Sequence, residues 1–165
     1  MKGIILHGAT ADPDRQDELD TLIQAEAVRK SLTALGHKVT ILPLSLDLEH
    51  AAAVLRKAAP DFVFNLVESV EGAGRLIHLA PTLLDYLGIP YTGAGAEAMF
   101  LTSNKLLAKR VLHDRGIPTP HCYAPDELAA ASPILPGPYI IKSVWEHASV
   151  GLDEDAVVAT DRREV

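Results

Sequence analysis

Cysteine is almost absent from this 165-residue chain: Cys122 stands alone, so no internal disulfide can form and a reducing compartment is the simpler setting. Aromatic residues make up only 5% of the chain, with a single Trp, which leaves no ladder on which nucleic-acid bases could stack. Positive charge is also in short supply, since 15 basic residues face 22 acidic ones for a net charge of -7. A phosphate backbone would be repelled unless cations were gathered locally, and the longest cationic runs are the pairs Lys109-Arg110 and Arg162-Arg163. Nucleic acid is therefore not expected as a partner. No apolar stretch approaches the length of a membrane span, and the run Ile4 to His7 is far shorter than a signal-peptide core, so neither a membrane partner nor a cleaved leader is expected.

What is present is an alternation of short β-type runs and helical periods. Gly3 to His7 reads as a buried strand, followed by a helix from about Gln16 to Leu35 on the spacing of Leu19, Leu22, Ile23, Val28, Leu32 and Leu35. Lys38 to Leu42 predicts a second strand ended by Pro43, Leu48 to Ala59 a helix closed by Pro60, and Asp61 to Leu66 a third strand of near-continuous apolar character. This βαβαβ order is the pattern of a parallel sheet with crossover helices. Arg75 to Leu87 adds an amphipathic helix in which Pro81 marks either a kink or a fresh start.

The character changes near residue 102. An apolar turn reaches Leu101, a helix is expected from about Asn104 to Arg115, and six prolines then fall between residues 118 and 138. A strand at Tyr139 to Lys142, a polar loop and a partner strand at Ala156 to Thr160 complete the chain. The expected domains are 1–102 and 103–165.

Two lysines stand out. Lys105 falls in the first turn of a helix that Thr102 or Ser103 would cap, where a cation opposes the helix dipole by roughly 0.3 to 1 kcal/mol and invites an anion. From position alone a solvated surface lysine at a helix start is the commoner reading. Lys142 ends an apolar run, ahead of the loop 143–151 with its hydroxyls, backbone N–H groups and one glycine, which is the makeup either of a flap over phosphates or of a plain hairpin connection. Asn65, Glu68, Glu71 and Arg75, with Gly72 and Gly74, follow the third strand at the edge where open α/β sheets place ligands, and His7 and Gly8 share that edge. Polar residues there are also ordinary turn formers. Gly93-Ala94-Gly95-Ala96-Glu97-Ala98 fits the dinucleotide pattern G-x-G-x-x-A, but late in the chain and after a short strand.

Taken in order, Phe64-Asn65-Leu66-Val67-Glu68, then Leu83 to Gly93 (LLDYLGIPYTG), then Ser103-Asn104-Lys105 and Gly116-Ile117-Pro118-Thr119-Pro120, resemble the D-alanine–D-alanine ligase family of ATP-grasp enzymes. The likeness runs from about residue 60 to residue 158. It implies an α/β fold, a Rossmann-like pre-ATP-grasp domain with a parallel sheet followed by an incomplete α+β ATP-grasp subdomain. It implies that Lys105 and Lys142 contact ATP phosphates. Glu146, Ser149 and Gly151 match the family's phosphate-covering loop, whereas Ser143, His147 and Ala148 depart from it. By their place at the sheet edge, His7, Asn65, Glu68, Gly72 and Gly74 are the candidate substrate contacts, although His7-Gly8-Ala9-Thr10 departs from the glycine-rich turn that follows the family's first strand.

The implied reaction joins a carboxylate to an amine through an acyl phosphate, with ATP and Mg²⁺ as cofactors, small amino-acid-like substrates, a cytoplasmic location and a homodimer formed through the first domain. The family's metal-binding carboxylates would lie past Val165, so the sequence reads as a fragment inactive alone. A non-catalytic small-ligand or dimerisation module on the same fold is the alternative.

Overall fold

A computed structural model describes residues 1–9, 16–130, 135–146 and 154–160, the side chains of 16–18, 154 and 160 excepted. The chain separates into two compact units, Met1–Leu101 and Thr102–Val165.

The first unit is built on three parallel strands, β1 (Lys2–Gly8), β2 (Lys38–Leu44) and β3 (Phe62–Asn65), in the order β2-β1-β3. Parallel neighbours need a crossover, supplied by α1 (Gln16–Ala34) and α2 (Leu48–Ala58). β1 lies in the middle, which is why Ile4, Ile5 and Leu6 are all buried although consecutive residues point to opposite faces. β2 runs through Pro43 to Leu44 rather than stopping before the proline. As an edge strand it bonds to β1 on one side only, so a residue with no N–H is tolerated. On the far side of β3, Tyr91 forms a single parallel bridge to Val63, with Val63 N donating to Pro90 O (2.8 Å) and Thr92 N to Val63 O (3.0 Å).

The core gathers Ile4 and Leu6, Leu44, Val63, the α2 residues Ala51, Ala52 and Leu55, the following Val67 and Val70, and Ala80, Leu83 and Leu84 of α3 (Leu79–Leu87). Fully burying each large member contributes on the order of 1.5–3 kcal/mol. A single 3₁₀ turn, Gly74–Leu76, precedes α3, and Pro81 lies in the first turn of α3, where its missing N–H would have no intrahelical partner anyway. The fresh start is therefore the correct alternative.

α1 corrects the expected burial. Leu19, Leu22, Ile23 and Leu35 are exposed, and it is Ala25 that is fully covered, with Val28 and Leu32 half-buried at helical spacing from it. A second correction is α4 (Ala96–Ser103), expected as a turn, whose residues Ala96-Glu97-Ala98-Met99 are strong helix formers.

The second unit holds α5 (Lys105–Asp114), α6 (Pro125–Ala130) and an antiparallel pair, β4 (Gly137–Ile140) with β5 (Val157–Thr160). α6 sits inside the proline-rich span. Pro125 opens it at the first helical position, where its fixed φ helps, and Glu127 reaches back to accept from Ala124 N (2.9 Å). β4 ends at Ile140, so Lys142 lies two residues beyond it, and Ile140 and Ile141 are 52% and 62% exposed rather than buried.

Candidate functional site

The C-terminal ends of β1 and β3 carry the expected substrate residues of the first unit. His7, the last buried side chain of β1, donates from Nδ1 to the Gly8 carbonyl at 2.7 Å. A carbonyl only accepts, so the bond fixes which nitrogen carries the proton. Asn65 closes β3: its N–H donates to Thr92 Oγ1 (3.1 Å), and its Oδ1 accepts from Val67 N (3.2 Å), bending the chain over the strand end. Leu66 N then donates to Leu6 O (2.7 Å), keeping this loop against β1. At Gly8 the approach is so close that an added Cβ would lie 2.4 Å from Ser69 O.

Glu68 is exposed on this loop, Gly72 is exposed and Gly74 is buried. Between them Val70 and Ala73 exchange backbone hydrogen bonds across Glu71 and Gly72, both at positive φ (49° and 72°). Two consecutive left-handed residues define a tight primed turn, and a glutamate there is held against its own preference. Its carboxylate accepts from Leu46 N (3.2 Å), tying the turn to the β2–α2 connection. The structure thus places His7, Asn65, Glu68, Gly72 and Gly74 along one edge of one sheet, with Glu71 and Thr92 as holding groups.

In the second unit Lys105 is the first residue of α5. The cap is Asn104, not Thr102 or Ser103: its side chain accepts from Leu107 N at 2.9 Å. An asparagine three residues ahead of the N–H it meets, at the head of an amphipathic run, was a readable signal. Lys105 also reaches the loop after β4 twice, its N–H donating to Val144 O (3.0 Å) and its Nζ to Glu146 O. That loop is turned by Ser143, whose Oγ accepts from Glu146 N (3.3 Å).

Lys142 is near enough to matter electrostatically. Burial first, and then the Lys142 charge, hold the Lys105 amine below its ordinary value, while Glu146 pulls the other way. Lys105, Lys142 and Glu146 are thus brought together, and Ser149 and Gly151 lie outside the described residues. Two cations beside a helix start and a loop of backbone groups form a suitable receptor for a phosphate chain. Among the described residues, no three His, Cys, Asp or Glu side chains are grouped to hold a metal ion. No described helix is long and apolar enough to cross a membrane.

The fold, the sheet edge and the lysine grouping define an α/β protein whose parallel sheet offers polar loops at its C-terminal end and whose following unit pairs two lysines. The "D-alanine--D-alanine ligase" of Gluconobacter oxydans is 34% identical over 155 residues, which are 93% of this chain and 48% of that protein. The ligase of the same name from Acidiphilium cryptum is 39% identical over 134 residues, 80% of this chain and 43% of that one. Among solved structures, the "D-alanine--D-Alanine Ligase from Bacillus anthracis" matches with a TM-score of 0.64 over 97% of this chain and 49% of its own, at 18% identity, a likeness of fold. No protein-family model matches. The chain belongs to the D-alanine–D-alanine ligase family, and it spans about half the length of the curated relatives it matches.

Proposed function

We propose that this chain contributes the first part of an ATP-dependent carboxylate–amine ligase of the D-alanine–D-alanine ligase type, with Met1–Leu101 as the pre-ATP-grasp domain and the residues from Thr102 onward as part of the ATP-grasp subdomain. The observation that carries the reading is the Lys105–Lys142–Glu146 grouping: Lys105, half-buried at the start of α5 and tied to the loop after β4, lies within electrostatic reach of Lys142, and two cations so placed suit a polyphosphate.

In this reading ATP supplies the phosphoryl group that activates a substrate carboxylate. The chain's own work is placement. Lys105 and Lys142 hold phosphate oxygens, and fixed cations stabilise charge growing there without having to reorient. Glu146, through its backbone carbonyl, keeps the Lys105 amine turned toward the 143–146 loop. At the sheet edge, His7, Asn65, Glu68, Gly72 and Gly74 receive small amino-acid-like substrates. Mg²⁺ belongs to the proposed reaction, but among the described residues no three His, Cys, Asp or Glu side chains are grouped to hold it. A cytoplasmic location and a homodimer through the first unit belong to the same reading.

Isothermal titration of Mg-ATP into the chain tests it. Binding weakened by roughly tenfold or more in Lys142→Ala is expected, since a charge-assisted contact is lost. Equal affinity of both proteins for Mg-ATP would remove the nucleotide site and leave the non-catalytic module.

A further inference from the structure

The loop that follows β3 is held at its start by several groups and at its tip by one. Asn65 N bonds to Thr92 and Leu66 N to β1, Val67 and Val70 are buried in the core, and Ser69 O lies close against Gly8. Past Val70 the chain leaves the core for two exposed residues, Glu71 and Gly72, and returns to it at Gly74, which is buried. Among the described residues, one hydrogen bond joins this tip to another element, from Leu46 N to Glu71 Oε1 (3.2 Å).

The far end of that bond is firm. Leu46 lies just before Asp47, the cap of α2, whose Oδ1 accepts from His50 N at 2.9 Å, and Leu46 O itself accepts from Leu48 N at 2.9 Å. Asp47 N donates in turn to Ser45 Oγ (3.2 Å), so the connection between β2 and α2 is fixed by local bonds to the head of a helix. That helix buries Ala51, Ala52 and Leu55 in the core. The near end is strained. Glu71 has a φ of 49° and Gly72 of 72°, the left-handed pair that a two-residue primed turn needs. Glycine or asparagine fills the first of these positions readily, whereas glutamate does so at a cost. A glycine at position 71 would ease the backbone and lose the carboxylate, so the two demands on this residue conflict.

We propose that Glu71 is a positioning residue for the sheet edge: by latching the tip of the 66–74 loop to the head of α2, it sets where Glu68 and Gly72 stand for an incoming ligand. The inference rests on the reading of that edge as the site of a small amino-acid-like substrate. Glu71, occupied with Leu46, acts through its neighbours.

Amide hydrogen exchange and titration with D-alanine, both followed by residue-resolved NMR of the whole chain, test it with three variants. Glu71→Gly relieves the backbone and removes the latch, Glu71→Ala removes the latch and leaves the strain, and Glu71→Gln keeps an acceptor for Leu46. In the Gly and Ala variants the Leu46 amide should exchange roughly fivefold faster, the worth of one hydrogen bond, and D-alanine should bind roughly three- to tenfold more weakly. The Gln variant should stay within about twofold of the parent in both. The Gly variant should unfold at a higher urea concentration than the Ala variant, since glycine accepts a left-handed backbone, yet bind D-alanine no better. A purely structural role would make affinity follow stability. Leu46 exchange equal in the parent and all variants overturns the latch, and faster exchange with unaltered D-alanine affinity overturns the positioning. Absence of D-alanine binding in the parent removes the substrate reading and the positioning role with it, while Leu46 exchange still decides the latch.

Discussion

The two units of this chain are stabilised very differently. In Met1–Leu101 a three-stranded parallel sheet is covered by helices and shares one apolar cluster, from Ile4 and Leu6 through Leu55 to Leu84. In Thr102–Val165 the only buried hydrophobic residues described are Ala124 and Ala156, α5 buries none of its residues, and Ile140, Val157 and Val158 of the β4–β5 pair are exposed. A two-stranded pair gains little stability by itself. Order in the second unit rests instead on specific polar ties: Asn104 to Leu107, Lys105 to the 144–146 loop, Lys109 to Thr119 and Pro120, and the Tyr123 and Tyr139 hydroxyls to the backbone of Leu135. The lesson is that a core fixes one unit while a handful of hydrogen bonds positions the lysines of the other.

That contrast can be broken at its strongest point. Leu55→Ala should cost about 2–5 kcal/mol in urea unfolding of the first unit, as a fully buried leucine leaves a cavity. Val157→Ser, on an exposed strand, should stay within about 0.5 kcal/mol. Equal losses from the two would mean that the second unit shares a core with something not described. Next in size, Asn104→Ala removes the cap of α5 and should cost about 1 kcal/mol, seen as lost helical ellipticity and faster amide exchange at Leu107.

The smallest effect concerns charge. Replacing Lys142 with Gln removes a cation from the surroundings of Lys105, so the Lys105 pKa should rise toward its usual 10.5, measured from its side-chain carbon shifts across an alkaline titration. The sign follows for stability as well. A lysine whose folded pKa is lowered holds its proton less firmly than the unfolded chain does, so stability rises with pH between the folded pKa and 10.5. In the Gln variant that rise should shrink. No change in either would show that burial alone depresses the amine.

Much of this was readable from the residues. The βαβαβ order follows from apolar runs separated by helical periods, and the paired lysines from a helix start and a strand end in a recognisable family sequence. What sequence could not show has physical reasons. Pro125 looks like a breaker by composition, yet at the first position of a helix it is a starter. The leucines of α1 advertise a buried face, but small Ala25 is the residue that is covered, because periodicity marks several candidate stripes and packing selects one. The left-handed backbone of Glu71 gave no signal either, as it is imposed by the turn around it.

One small feature has a wide reach. Because a side chain at position 8 would occupy the space of the Ser69 carbonyl, the height at which the 66–74 segment rides above the sheet is set by a missing methyl group. A side chain there acts as a shim, pushing the loop away from β1 at Ser69, so a mutational scan of this chain should register position 8 as intolerant for a reason of distance rather than of chemistry.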